Sequence, residues 1–265
     1  MIEKIISGGQ TGADQAALDA AIAWKIPHGG WIPKGRKTEA GKLPNKYQLK
    51  ETSTENYEER TEKNVMDSDG TLIFSHGNLQ GGSKFTKAMA EKHQRPFLHV
   101  NLNLINEFEA ARKINTWIDQ KKIKILNVAG TRASEDPGIY HVVMKIMITL
   151  FHMDLIKTTL PDPDKAAPFL PKTVDQAVQK IEDQLPLKER NYIANLEKNE
   201  LVTLMPSLGE YIKNRFGLWT GNRDLVESCR IISGEAYMDE NKALLIIIEN
   251  LWFHLINTHR LRVVK

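Results

Sequence analysis

The stretch Gly8-Gly9-Gln10-Thr11-Gly12-Ala13-Asp14 has the residue types and spacing to capture an anion. It follows the strand-like Lys4-Ile5-Ile6-Ser7 and runs into a helical pattern from Gln15 to Trp24. A strand, a glycine-rich turn and a helix start aim free backbone N–H groups at one point, and the helix dipole adds positive charge there. Glycine at 8, 9 and 12 permits positive φ and a close approach of backbone to ligand. The competing reading of the same string is a tight turn in which Asp14 or Thr11 caps the helix.

Three further strings carry similar chemistry. Gly29-Gly30-Trp31-Ile32-Pro33-Lys34-Gly35-Arg36-Lys37, with Lys42 nearby, sets four cations against Glu39 alone. Gly and Pro keep this run out of a helix, and Arg36 has the fork geometry for a bidentate anion contact. Its alternative is a solvated surface run. Gln80-Gly81-Gly82-Ser83-Lys84-Phe85-Thr86 again lies between a strand and a helix, where N–H groups and the Ser83 and Thr86 hydroxyls suit a phosphate or a sugar, or where Ser83 caps the helix. The fourth string, Asn127 to Gly138, places Gly130 and Arg132 at the end of a strong strand. Other chemistries find less support. The eight histidines show no metal-ligand spacing. No Gly-x-Ser-x-Gly elbow is present, and no Gly-Lys-Ser/Thr follows the first loop, which speaks against a serine hydrolase and a P-loop NTPase.

The elements that must position these loops alternate. Strand patterns at Lys4–Ser7, Gly70–Phe74, Pro96–Leu102 and Lys124–Ala129 are separated by helical patterns at Asp14–Trp24, Asn56–Asp67, Gly82–His93 and Asn106–Lys121, with Gly138–Leu155 after the last. Such alternation predicts an α/β domain: a doubly wound, mostly parallel Rossmann-like sheet over residues 1–157, with ligands beyond the carboxyl ends of its strands. Four prolines mark residues 158–172 as a linker. From Thr173 to residue 265 the pattern is helical, with Val174, Val178, Ile181 and Leu185 at helical spacing, and predicts a small all-α domain.

Composition is that of an ordinary soluble chain: 265 residues, 41% apolar and 26% charged. One cysteine, Cys229, excludes an internal disulfide and a thiolate zinc site. Residues 1–160 hold 22 lysines and arginines against 18 acids, and the remainder 14 against 15, so the basic excess lies with the loops. That excess is too mild for a nucleic-acid coat and suits a small anionic ligand. The amino terminus lacks a signal-peptide pattern, and the apolar run from Ala243 to Ile256 is too short and too interrupted to cross a bilayer. These features predict a cytoplasmic protein without membrane or nucleic-acid partners.

In this order, the strings GGQTGAD, GGWIPKGRKTEAG, SDGTLIF with GGS, and LNVAGTRASEDPGIY closely resemble the molybdenum carrier family. That family is viewed as a circularly permuted YpsA-like branch of the Rossmann-like superfamily containing the LOG nucleotide phosphoribohydrolases. The resemblance covers residues 1–155. It implies a Rossmann-like domain, often a homo-oligomer, that binds a phosphorylated ligand: the molybdenum cofactor, a phosphate-bearing pterin, in algal carriers, or otherwise a nucleotide derivative. Carried over by position, it implies ligand contacts at Gly8, Gly9, Gln10, Thr11, Gly12 and Asp14, at Lys34 and Arg36, at Gly81, Gly82, Ser83 and Thr86, and at Asn127, Gly130 and Arg132. One departure concerns catalysis. The LOG hydrolases share a PGGxGTxxE string, and Ala88 stands here where its glutamate would align. The resemblance therefore implies binding or carriage without a catalytic residue. The alternative is a hydrolase of a nucleotide-derived ligand with Asp14, Glu135 or Asp136 as acid or base. The helical tail weakly resembles a bacterial domain of unknown function and implies a protein partner or a regulatory role.

Overall fold

The computed structural model describes residues 2–160 and 169–259. The chain divides into two compact units, residues 1–154 and 155–265. The expected proline-rich linker falls mostly on residues 161–168, outside the described residues.

In the first unit the chain runs β1 (Lys4–Ser7), α1 (Ala13–Ala23), β2 (His28–Gly29), β3 (Trp31–Ile32), β4 (Lys37–Thr38), β5 (Gly41–Lys42), β6 (Lys50–Glu51), α2 (Tyr57–Met66), β7 (Gly70–Ser75), α3 (Gly81–Lys92), β8 (Phe97–Asn101), α4 (Glu107–Lys121), β9 (Ile125–Gly130) and α5 (Ile139–Thr159). Five strands form one parallel sheet in the order β2-β1-β9-β7-β8, as the alternating pattern predicts. Strand β7 is buried along its whole length, which is why GTLIFS reads as a continuous run rather than an alternation. Five alanines of α1 are buried, and their small side chains let the helix lie close to β1 and β9. Helix α4 starts on a capping box between Asn106 and Glu109, which partners two otherwise unpaired N–H groups.

Strand β2 and the short pairs β3-β6 and β4-β5 arise where the sequence predicts only a basic loop. Strands of two residues carry no measurable period, so pairing across the fold creates them. Chain order places a crevice: β1 connects outward to β2 on one side of the sheet, β7 to β8 on the other. The loops after β1, β7 and β9 therefore gather at one switch point.

The second unit consists of α6 (Val174–Gln184), α7 (Leu187–Ala194), a 3₁₀ turn at Lys198–Leu204, a π segment at Met205–Gly209, α8 (Glu210–Arg215), α9 (Arg223–Ser233) and α10 (Glu240–His259). Thr173 caps α6 through the Gln176 N–H, and α6 packs on α10, its stripe Val174, Ala177, Val178, Ile181 and Leu185 sharing one core with Leu244, Ile247, Ile248 and Leu251. Among the described residues no helix is long and apolar enough to cross a membrane.

Glu189 of α7 is fully buried, and burial raises its pKa to about 8, opposed by the Lys188 charge. An unfolded glutamate ionises near 4.5, so the folded state holds an extra proton between these values. Stability contributed by this group is complete below the lower value and declines as pH rises through the upper one. Glu189→Gln is therefore expected to raise the melting temperature at pH 8 and to leave it unchanged at pH 4, as measured by thermal unfolding. An unchanged difference across that range would refute the assignment.

Candidate functional site

At the carboxyl ends of β1 and β9 a cleft is lined by Gln10, Asp14, Tyr57, Arg60, Thr61, Gly82, Ser83, Thr86, Ala129, Gly130, Arg132 and Glu135. It leaves about 70 Å³ for the centres of water-sized groups. At roughly 10–15 Å³ per water, that holds several waters or a phosphoryl group, and the rest of a larger ligand would extend outward.

The first glycine loop is largely occupied by its own protein. The Gln10 N–H donates to the Asp14 carboxylate at 3.3 Å, the Thr11 N–H to Gln10 Oε1 at 3.0 Å, and the Ala13 N–H to the Thr131 carbonyl at 3.2 Å. Asp14 thus supplies an internal acceptor at the start of α1. Gly12 has φ +78°, and a Cβ there would stand 2.5 Å from the Thr131 carbonyl, so only glycine lets the 131–133 segment approach. A Cβ at Gly9 would meet Leu43 and Leu49, which makes that glycine a packing position.

The open donors belong to α3. Its cap residue Gln80 makes no side-chain cap, and nothing lies within 4 Å of a Cβ placed on Gly81 or Gly82. The first-turn N–H groups of a helix have no intrahelical acceptor, so this end of α3 presents donors to the cleft that Gly82 and Ser83 line. Thr86 Oγ1 donates to the Gly82 carbonyl at 2.9 Å and braces the turn.

Helix α2, capped by Asn56, delivers Arg60 to the same cleft. One guanidinium nitrogen of Arg60 lies 3.3 Å from Asp14 Oδ2, both side chains largely buried, while its Nε is buried without a partner among the described residues. Burial pushes the Asp14 carboxyl above its ordinary range, against the Arg60 charge and the hydrogen bond from the Gln10 N–H. Arg132 lies 3.2 Å from Glu135 and 3.9 Å from Glu39 at the rim. Glu39 also accepts from the Thr11 hydroxyl and from the Ser134 N–H and hydroxyl, joining the 37–42 hairpin to two site loops. Burial raises its pKa, but the Ser134 and Thr11 hydrogen bonds outweigh this and hold it below the usual carboxylate range.

Several expected contacts are placed elsewhere. Arg36 is buried, and its guanidinium donates to the carbonyls of Leu43, Leu49, Pro44 and Tyr47 at 3.0, 3.1, 3.1 and 2.7 Å. It organises the 43–49 loop with four of its five N–H groups and keeps too few for a two-pronged anion fork. Lys34 is exposed and outside the cleft. Asn127 is buried within β9 and donates to Thr71 Oγ1 at 3.2 Å. Of the other expected contacts, Gln10, Asp14, Gly82, Ser83, Thr86, Gly130 and Arg132 line the cleft. Glu135 lines it as well. Asp136 instead accepts from His76 Nδ1 at 2.5 Å and from the Gly138 N–H at 3.2 Å. Tyr57, Arg60 and Thr61 escape a sequence reading because YEERTEK looks like a solvated helix, and only the packing of α2 on α3 turns one edge inward.

Gly8 clears the space for Arg60: a Cβ there would lie 1.5 Å from the guanidinium. Gly8→Ala is expected to displace this side chain from Asp14, lowering the melting temperature in the direction of Arg60→Ala and weakening binding of phosphate-bearing ligands about tenfold, the loss of one charge-assisted hydrogen bond. Calorimetry beside thermal unfolding checks this; wild-type affinity would contradict it.

Among the described residues no group of three or more His, Cys, Asp or Glu is arranged to hold a metal ion. A family model described as the circularly permutated YpsA SLOG family matches residues 5–151, and a domain of unknown function, DUF6794, matches residues 170–255. A crystal structure of a "putative molybdenum carrier protein" from Syntrophus aciditrophicus SB is 54% identical over 56% of this chain and 94% of that one, with a TM-score of 0.56. No curated protein matches the chain.

Proposed function

Because the chain belongs to the circularly permutated YpsA SLOG family, we propose that its first unit binds and carries a phosphorylated small molecule without transforming it. The carrying observation is the meeting, in one cleft, of the start of α3, whose cap residue makes no side-chain cap, with the guanidinium-bearing Arg60. A phosphoryl group there gains N–H donors from Gly82 and Ser83, a guanidinium donor from Arg60, and the charge of Arg132 once it leaves Glu135. Its dianion would meet the positive charge of the Arg60 guanidinium beside the α3 donors.

The name of the similar Syntrophus protein supports a molybdenum-related cargo. The two carboxylates lining the cleft, Asp14 and Glu135, are already paired with Arg60 and Arg132. Molybdenum would therefore travel on its own pterin, with the phosphate end of that cofactor seated at α3. A nucleotide derivative offers the same phosphate, and its ribose hydroxyls suit Asp14 and Glu135 as acceptors. Titration calorimetry with inorganic phosphate, ribose 5-phosphate, ADP-ribose and molybdopterin decides among them. Saturable heat with at least one organic phosphate is expected, and silence with all four would end the proposal.

A second reading rests on Asp14. A buried carboxyl with a raised pKa at the edge of a phosphate site can serve as a general acid in hydrolysis of a nucleotide-derived ligand. Product formation lost in Asp14→Asn, with binding retained, would establish it; intact ligand after prolonged incubation would exclude it. The helical unit is assigned a partner-binding or regulatory role, tested by deleting residues 173–265 and repeating the binding titration.

A further inference from the structure

Strand β8 ends the five-stranded sheet and pairs on one side only, with β7. The Thr71 N–H donates to the Pro96 carbonyl and the Leu102 N–H to the Ser75 carbonyl, both at 2.9 Å. In a parallel ladder every second residue faces the neighbouring strand, so 96, 98, 100 and 102 turn their backbone groups to β7. Phe97 and His99 turn theirs to the open edge.

Two grooves flank that edge. Phe97 and His99 line one of about 380 Å³ against α3. Leu98, Leu104 and Trp117 line another of about 820 Å³ against α4. Successive strand side chains point to opposite faces, so the grooves lie on the two faces of the sheet. Leu104 is 77% exposed, an apolar side chain without cover.

Both grooves are basic. Lys84 and Lys87 border the first, Arg112 and Lys113 the second. Each groove keeps a net positive charge of two cations against one acid: Glu91 lies 3.6 Å from Lys87 in the first, and Glu109, which accepts from the Asn106 N–H, stands in the second. Burial first, and then the charges of Lys113 and Lys87, hold the His99 imidazole below its ordinary pKa, so positive potential reaches the strand from both helices.

We propose that the β8 edge receives an extended acidic segment of another protein, which adds a sixth strand and places alternate side chains in the two grooves. Main-chain hydrogen bonds to Phe97 and His99 would supply affinity, apolar side chains over Leu98, Leu104 and Phe97 would fill the grooves, and flanking Asp or Glu would meet the four cations. A second copy of this chain fits poorly, because edge-to-edge pairing would bring two sets of these cations together. The inference is independent of the phosphate cleft, which lies on other residues.

The test uses the full-length chain and two fluorescein-labelled octapeptides, one alternating valine with Glu and Asp, the other alternating valine with Lys. Fluorescence anisotropy is expected to show saturable binding of the acidic peptide, weakened by salt, and none of the basic one. The double variant Lys87→Glu/Lys113→Glu should reduce acidic-peptide affinity about tenfold and admit the basic peptide. His99→Pro removes an outward N–H and none of the backbone ladder bonds to β7, but it also removes the 2.8 Å hydrogen bond between the imidazole and the Ser75 hydroxyl, so it should abolish binding with a modest fall in melting temperature. If it unfolds the protein, the charge-reversal pair still decides. Equal binding of both peptides, acidic binding unchanged in the double variant, or a dimer in sedimentation that His99→Pro dissociates would each overturn the proposal.

Discussion

Arg60→Ala is expected to weaken binding of any phosphate-bearing ligand about 10- to 100-fold, because a charge-assisted hydrogen bond is worth roughly 1.5–3 kcal/mol in a buried site. The same change removes the counterion of Asp14, whose carboxylate lies buried 3.3 Å away. An unpaired buried carboxylate takes up a proton rather than remain charged. Since burial already raises the Asp14 pKa, the variant raises it further. The folded state then binds a proton that the unfolded chain releases near pH 4, so the stability deficit against wild type should grow as pH rises from the acid range. Arg60→Lys restores a point charge without the planar fork and should recover part of the stability and little of the affinity. Calorimetry together with melting temperatures from pH 4 to 8 reads both effects. Unchanged affinity would remove Arg60 from the site, and a pH-independent deficit would remove the coupling to Asp14.

Arg36→Ala is expected to act on the fold instead. Four carbonyls converge on that guanidinium, from Leu43, Pro44, Tyr47 and Leu49. Without it they lose charge-assisted donors in a partly buried loop, at a cost of about 3 kcal/mol. Leu43, Tyr47 and Leu49, held by this loop, complete a small core with Ile32 and Leu18, so α1 should loosen as well. Urea denaturation should show a lower midpoint for Arg36→Ala and no rescue by lysine, whose compact ammonium cannot reach four acceptors in a plane. Affinity for organic phosphates, measured well below the unfolding transition, should remain that of the wild type. A variant of native stability that fails to bind would return Arg36 to the ligand.

These two arginines mark how far local sequence carries. Arg36 sits among glycines, a proline and lysines, the composition of an anion loop, and folds into a structural clamp. Arg60 sits among glutamates in a helix, the composition of a solvated surface, and lines the cleft. Local composition reports which groups are available; whether a guanidinium meets a carbonyl or a ligand depends on chain segments far away in sequence.

By itself the sequence determined the parallel α/β layout, the helical tail and the loops that gather at the strand ends, because hydrophobic period and glycine placement are local properties of the chain. It also determined that Gly82, Ser83, Thr86, Gly130 and Arg132 belong near one another, since each follows a strand of the same sheet. Tertiary structure decided which loop has donors to offer. Asp14, folded back on Gln10, fills the first turn, while the cap residue Gln80 makes no side-chain bond at the start of α3. The physical reason is competition for backbone N–H groups: donors that find acceptors inside the protein are no longer open, and only the full three-dimensional pairing shows which donors remain.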